Sequence, residues 1–183
     1  MFYVVKLKDI LQLDSFSKLS EKLSDFSSIN DDISNFIKDK AVEFEKRDLS
    51  RTYFVIDKET KEIAAYFSLT LKVLTFNSTV SNNVKKRIQG ATSNIQSVPV
   101  ILIGQLGKNF NYSGTISGNY ILDCAMDIVN QIYGLVGCRV CLIETLSNIN
   151  NNKVVRFYEN YGFKKLVDNT ENEYFQMYKR IKD

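Results

Sequence analysis

The stretch from residue 98 to 136 constrains this chain more than any other, because it passes from buried-strand pattern through a polar loop into an amphipathic helix. Val98, Pro99, Val100, Ile101, Leu102 and Ile103 are nearly all branched or apolar, as expected of a strand covered on both faces. Gly104-Gln105-Leu106-Gly107-Lys108-Asn109 and a Phe-Asn-Tyr segment follow, and Ser113-Gly114-Thr115-Ile116-Ser117-Gly118 then opens a long helix. Helical spacing puts Ile121, Ala125, Ile128, Ile132 and Val136 on one side and Asn119, Asp123, Asp127 and Asn130 on the other. One face is expected to pack on the sheet and the other to meet water.

A helix that starts after small residues leaves backbone N–H groups unpaired and aligned with the positive end of its dipole, a ready site for a phosphate. The same residues also fit an ordinary strand-to-helix connection capped by Ser113 or Thr115. Both readings stand on these residues alone.

On the N-terminal side, Tyr3 to Leu7 reads as a strand, and the Ser-rich segment from Asp14 to Ser28 has some helical character. A helix is expected from a cap at Asn30 or Asp31 to Arg47, with Ile33, Phe36, Ile37, Ala41 and Phe44 on one face. Thr52 to Ile56 and Ile63 to Phe76 read as an antiparallel hairpin joined by a tight connection from Asp57 to Lys61. In its second strand Phe67, Leu69, Leu71 and Val73 alternate with Ser68, Thr70 and Lys72, the period of a sheet with unequal faces. Lys85-Lys86-Arg87 falls on a short helix before the central strand and is either a solvated face or a contact to an anionic substrate.

Beyond the long helix, Arg139 to Thr145 is an apolar strand, and Asn151 to Tyr161 is a short helix with Val154, Phe157, Tyr158 and Tyr161 on its apolar side. Gly162 is placed to end it in a left-handed turn. Phe163 to Val167 and Tyr174 to Ile181 read as a closing strand pair.

At 183 residues with 44% apolar and 25% charged side chains, the chain suits one globular domain spanning 1–183. No apolar run approaches the roughly 20 residues of a bilayer span, and the N-terminus lacks the plan of a signal peptide, so a cytoplasmic protein without a membrane partner is expected. Histidine is absent, which removes Ser-His and Cys-His nucleophilic systems and argues against zinc. Cys124, Cys138 and Cys141 lack paired ligand spacing and read as buried thiols. A net charge of +3 does not by itself imply nucleic acid, though a local basic patch leaves RNA open.

The segment Asn151-Asn152-Lys153-Val154-Val155-Arg156-Phe157-Tyr158-Glu159-Asn160-Tyr161-Gly162-Phe163 resembles the C-terminal motif of the GNAT acetyltransferases, an Asn followed by Phe/Leu-Tyr-Glu-x-x-Gly-Phe. The resemblance covers about residues 30 to 180. It implies an α/β (α+β) fold with a mixed, mostly antiparallel sheet of six to seven strands, splayed central strands, and helices on both faces. More narrowly, Ser28 to Ile33 with Phe36-Ile37-Lys38, Ser50 to Tyr53, and Ala65 to Leu69 look like the front half of the toxin-type GNATs, which acetylate the amino group of aminoacyl-tRNA. The family's pyrophosphate loop is Gln/Arg-x-x-Gly-x-Gly/Ala, and in that register only Gly118 of Ser113–Gly118 stands where expected.

The resemblance implies an N-acetyltransferase that uses acetyl-CoA as co-substrate on a primary amine, such as the α-amino group of aminoacyl-tRNA. tRNA, an antitoxin and a second copy of the chain are the candidate partners. The amides of Ser113, Gly114, Thr115, Ile116, Ser117 and Gly118 would hold the pyrophosphate. Amides around Leu106, Gly107 and Lys108 would face the acetyl carbonyl, since fixed donors aimed at a developing oxyanion are usually the largest catalytic term. Asn151 and Phe157 would line the pantetheine, and Tyr158 would hydrogen-bond and protonate the sulfur. Glu144 is a candidate base through a water, or equally a structural carboxylate. The departure in the loop also leaves room for a GNAT-fold binding or regulatory module with weak catalysis.

Overall fold

The computed structural model describes residues 1–13, 16–90, 96–146, 152–167 and 174–182. In chain order the elements are β1 (Phe2–Lys6), α1 (Leu7–Gln12), α2 (Phe16–Asp25), α3 (Asp31–Asn35), a π-helical turn (Phe36–Lys40), α4 (Ala41–Lys46), β2 (Arg51–Asp57), β3 (Ile63–Thr75) and α5 (Asn82–Gln89). They continue with β4 (Ser97–Lys108), a 3₁₀ turn (Phe110–Tyr112), α6 (Gly118–Val136), β5 (Val140–Leu146), α7 (Asn152–Asn160), β6 (Lys164–Lys165) and β7 (Tyr174–Arg180). The strands form one seven-stranded sheet in the order β1-β2-β3-β4-β5-β7-β6. It is mostly antiparallel, with the parallel pair at β4 and β5. The chain divides into two compact units, Met1–Thr70 with Gly104–Asp127, and Leu71–Ile103 with Ile128–Asp183.

In the first unit, β1 pairs with β2 from Phe2↔Asp57 to Lys6↔Tyr53, and β2 pairs with β3 from Arg51↔Leu69 to Val55↔Ala65. The expected hairpin is therefore present. Its core joins Phe54, Ile56, Ile63 and Tyr66 of the sheet to Leu7, Leu19, Leu23, Phe36 and Ile37 of the helical segments and to Phe26 just beyond α2. Tyr66 is the hub, with Phe26 edge-on at 5.4 Å and Phe36 stacked at 6.2 Å. Full burial of one such side chain contributes about 1.5–3 kcal/mol. A buried phenol also needs a hydrogen-bond partner, and Tyr66 donates to the Ile33 carbonyl at 2.6 Å while burial pushes its pKa far up.

The helix expected from 30 to 47 is one helical path interrupted by the π turn. Asn30 is its cap, accepting from the Asp32 amide at 2.9 Å. Phe36, Ile37 and Ala41 are buried as expected, but so is Glu45, at 4% exposure. Arg51 and the Thr52 amide bond its two carboxylate oxygens at 3.1 and 2.8 Å, which compensates a burial that would otherwise be prohibitive.

In the second unit, β4 runs parallel to β5 at Ile101↔Cys141, Leu102↔Leu142 and Ile103↔Ile143. β7 pairs antiparallel with β5 from Val140↔Arg180 to Leu146↔Tyr174, and β6 pairs with its other edge. Leu74, Val100, Val140, Leu142, Leu166 and Tyr178 belong to its core. Gly162 has φ +99, the left-handed conformation expected where α7 ends.

Three apolar faces differ from the sequence pattern. On β3 every residue from Ile63 to Leu69 is buried, Ser68 included, whereas Leu71 and Val73 are 71% and 64% exposed. The period-two pattern cannot show that cover on one face stops partway along a strand. On α6 the buried stripe is Ile121, Leu122, Ala125, Met126 and Val129, while Val136 is exposed. This helix is apolar around much of its middle, and packing chose the face. On α7 the buried pair is Val155 and Tyr158, with Val154 exposed.

Candidate functional site

The C-terminal end of β4 leaves the regular ladder. At one end of the β3–β4 pairing the Phe76 amide donates to the Gln96 carbonyl at 2.8 Å, and at the other the Asn109 amide donates to the Ala64 carbonyl at 2.9 Å. Between these bonds β4 holds one residue more than β3, so a residue of β4 bulges out of the ladder. A Cβ built on Gly104 would lie 3.4 Å from Ser68 Oγ, in the first register. One built on Gly107 would lie 3.1 Å from Tyr66 Cε1, in the second, and only 2.1 Å from Ile33 Cγ2. The extra residue therefore falls at Gln105–Leu106. Two glycines three apart in an apolar strand are compatible with such an irregularity, but only the register against β3 places it.

Asn109 locks the exit from the strand. It is buried, donates from Nδ2 to the Ile63 carbonyl at 3.0 Å, and accepts from the Asn111 amide at 3.2 Å. Phe110 then donates its amide to the Ser27 carbonyl, and the Tyr112 hydroxyl shares a 2.7 Å hydrogen bond with Thr60.

The loop Ser113–Gly118 that follows is partly self-satisfied. The Ser113 amide bonds the Phe110 carbonyl, and the Thr115 and Ile116 amides both bond the Tyr112 carbonyl, at 3.0 to 3.1 Å. The helix cap is Ser117, whose Oγ accepts from the Tyr120 amide at 3.1 Å, rather than Ser113 or Thr115. Gly118 and Asn119 open α6, and helix geometry leaves first-turn amides without a carbonyl partner inside the helix. Asn119 thus joins the candidate donors, a residue that loop-pattern matching missed because it lies past the motif. A Cβ on Gly114 would meet nothing within 4 Å, so the loop is open there.

Ile116 stands where the family pattern has its first glycine. Its side chain is 3% exposed, and the positive φ values of described non-glycine residues are at Asp48 and Lys61. An isoleucine is therefore tolerated without left-handed strain, its side chain anchoring the loop from beneath. Lys108 braces the same loop, its ammonium 3.0 Å from the Ser113 carbonyl and 3.2 Å from the Ile116 carbonyl. Leu106 is half-buried and Gly107 buried at the end of the strand.

In the second unit, Tyr158 is 7% exposed, with Phe157 at 5.0 Å and Phe163 edge-on at 5.8 Å between ring centroids. Desolvation, with a smaller contribution from the Cys141 thiol, pushes its phenol up to about 12, so the group stays protonated at neutral pH. Phe157 is half-buried beside it. Asn151 lies outside the described residues. Glu144 is held on both oxygens by Lys72, at 2.6 and 2.7 Å, and by Gln176 Nε2 at 2.8 Å. Neither partner stood out in the sequence, because the strand register that aligns Gln176 with Glu144 is a tertiary fact. Lys85, Lys86 and Arg87 do lie on a short helix, α5, capped by Ser81, with Lys86 and Arg87 exposed.

No helix among the described residues is long and apolar enough to cross a membrane. No protein-family model matches the chain. Solved structures do match it along nearly its whole length. One is AtaT complexed with acetyl-methionyl-tRNAfMet, at TM-score 0.75 and 20% identity, covering 98% of this chain and 95% of that one. A tyrosine-to-phenylalanine mutant of KacT matches at TM-score 0.76 and 19% identity, with 98% and 95% covered. A mutant AtaT toxin bound to the C-terminus of the antitoxin AtaR and acetyl-CoA matches at TM-score 0.70 and 16% identity, with 98% and 93% covered. With a seven-stranded mixed sheet and these structural neighbours, the chain has the GNAT fold shared by these toxins.

Proposed function

We propose that this chain is an acetyl-CoA-dependent N-acetyltransferase whose acceptor is a primary amine, the α-amino group of aminoacyl-tRNA, and that an antitoxin restrains it. The observation that carries the reading is the β4 bulge at Gln105–Leu106 leading, through a loop braced by Lys108, to the first amides of a 19-residue helix. That is a set of fixed donors suited to an oxyanion and then to a diphosphate. The neighbouring structures with acetyl-CoA, an acetylated tRNA and an antitoxin supply the ligand classes.

Acetyl-CoA would supply the acyl group as a thioester. The Gly118 and Asn119 amides, with Gly114 and Ser117 beside them, would hold its diphosphate at the positive end of the α6 dipole. The bulged amides of β4 would face the carbonyl oxygen and stabilise the charge that develops there. Phe157 and Asn151 would flank the pantetheine. Tyr158 would donate a hydrogen bond to the departing sulfur. With burial holding its phenol near 12, above a thiol of about 8.5, Tyr158 would act as a hydrogen-bond donor to the sulfur, and over the whole reaction the acceptor amine gives up one proton and the thiolate gains one.

The absence of histidine, together with the ion-paired state of Glu144, favours an acceptor that needs little deprotonation. An α-amino group near about 8 is partly neutral at pH 7, whereas a lysine near about 10.4 is not. Lys85, Lys86 and Arg87 on α5 would contact the phosphates of the RNA.

Label transfer from acetyl-CoA to charged tRNA, free amines and peptides tests the assignment. Label on the aminoacyl group is expected; label confined to other amines, with none on charged tRNA, would refute the tRNA acceptor. The internal bonds of Ser113, Thr115 and Ile116 favour one rival, a GNAT-fold module without turnover. Titration calorimetry separates the two, since a module that has lost the diphosphate site gives no heat with acetyl-CoA.

A further inference from the structure

Among the features outside the proposed acyl-transfer machinery is a cavity of about 240 Å³ in the first unit. Its walls are Val5, Ile10, Leu19, Phe54, Ile56 and Ile63, and at its exposed end stand Tyr3, Lys22 and Lys61. The two lysines are not equivalent. Lys22 is matched by Glu62 at 2.6 Å, whereas Lys61 is exposed and rests over the Tyr3 ring at 5.9 Å, with no carboxylate partner among the described residues. The mouth of an apolar pit thus carries one uncompensated positive charge.

Lys61 is also held in an unusual conformation. It is a non-glycine residue at φ +59, fixed by its amide on the Asp57 carbonyl at 3.0 Å and by the return bond from the Asp57 amide to the Glu62 carbonyl at 3.0 Å. A left-handed lysine is uncommon and costs conformational energy, and here it sets the ammonium beside the opening. The pit is separate from the loop at the start of α6. Side chains alternate along a strand, and Phe2, on the opposite face of β1 from Tyr3 and Val5, is the residue that meets Tyr112 and Tyr120.

We propose that this cavity binds a free aliphatic monocarboxylate, its chain in the pit and its carboxylate on Lys61. The volume is about eight times the ~30 Å³ share of one liquid water, enough for a chain of about eight methylene-sized groups. Both ends of such a ligand are complemented: the apolar walls cover one side of the chain, and Lys61 supplies the matching charge.

The test is a titration of the full chain with octanoate, read by methyl NMR. Saturable shifts centred on the methyls of Val5, Ile10, Leu19 and Ile63 are expected. Lys61→Asn, which removes the charge while keeping a residue type that tolerates positive φ, should weaken octanoate binding at least fivefold and leave the spectrum otherwise native. Val5→Phe, which fills the pit, should abolish the response, with its thermal transition confirming the fold. Any of three results would overturn the proposal: no saturable shift at millimolar octanoate, as expected if the pit instead seats a side chain of a peptide partner; equal affinity for octanoate and octylamine; or unchanged affinity in Lys61→Asn.

Discussion

Tyr158 is almost fully buried, and that burial holds its phenol well above the ordinary value. A raised folded-state pKa means that the stability it is linked to is complete below the unfolded value near about 10 and is lost as pH climbs toward 12. Between pH 9 and 11 its share of that loss should amount to about 1.4 kcal/mol, and urea unfolding should show a loss larger by about that amount in the wild type than in Tyr158→Phe, where the buried Tyr66 phenol still contributes its own. The same substitution, removing a donor aimed at developing charge, should cut turnover by about 10²-fold while leaving acetyl-CoA affinity near wild type; unchanged turnover at saturation would remove Tyr158 from the chemistry. Gly107 is constrained differently, by the 2.1 Å approach of Ile33 Cγ2 to the place a Cβ would occupy. Gly107→Ala should therefore cost about 1–3 kcal/mol by overpacking. Ile33→Ala in the same chain should recover part of that loss, a coupling that a double-mutant cycle reads directly.

The bulged strand, the braced loop and α6 act as one element, because each fixes the next: Asn109 ends the strand, Lys108 ties the loop carbonyls, and Ser117 caps the helix. Removing the brace should loosen the donors without unfolding the core, since both of its bonds go to loop carbonyls. Lys108→Met is thus expected to weaken acetyl-CoA at least tenfold by calorimetry while shifting stability by no more than about 3 kcal/mol, the worth of two net hydrogen bonds; equal affinity would show that the loop holds its shape unaided. On α5 the expectation concerns charge alone. Lys85→Glu with Lys86→Glu should weaken tRNA binding and flatten its dependence on salt by roughly one to two counterions, and superimposable binding curves across salt concentrations would take this helix out of the RNA contact.

Across the whole molecule, the lack of histidine leaves the chain without a side chain whose unperturbed pKa lies between about 5 and 8. The rate–pH profile in that range should then follow the acceptor: its inflection should move when an amine of different pKa is substituted, and an inflection that stays fixed would reveal a titrating group in the protein. The elements themselves were largely legible in the chain, because strand and helix periods, the Asn30 cap and the Gly162 stop are local physics. So was the strand–loop–helix core of the candidate site. The depth of burial was not. Leu71 and Val73 alternate like core residues yet face solvent, the carboxylate Glu45 is buried, and α6 turned Leu122, Met126 and Val129 inward in preference to Val136. By itself the sequence determined which segments form strands and helices, and where a loop of small residues precedes a long helix, since those outcomes rest on neighbours a few positions away. The tertiary structure alone decided the bulge at Gln105–Leu106, the Lys72–Glu144–Gln176 cluster and the apolar pit beneath Lys61, because each depends on the register and packing of segments far apart in the chain.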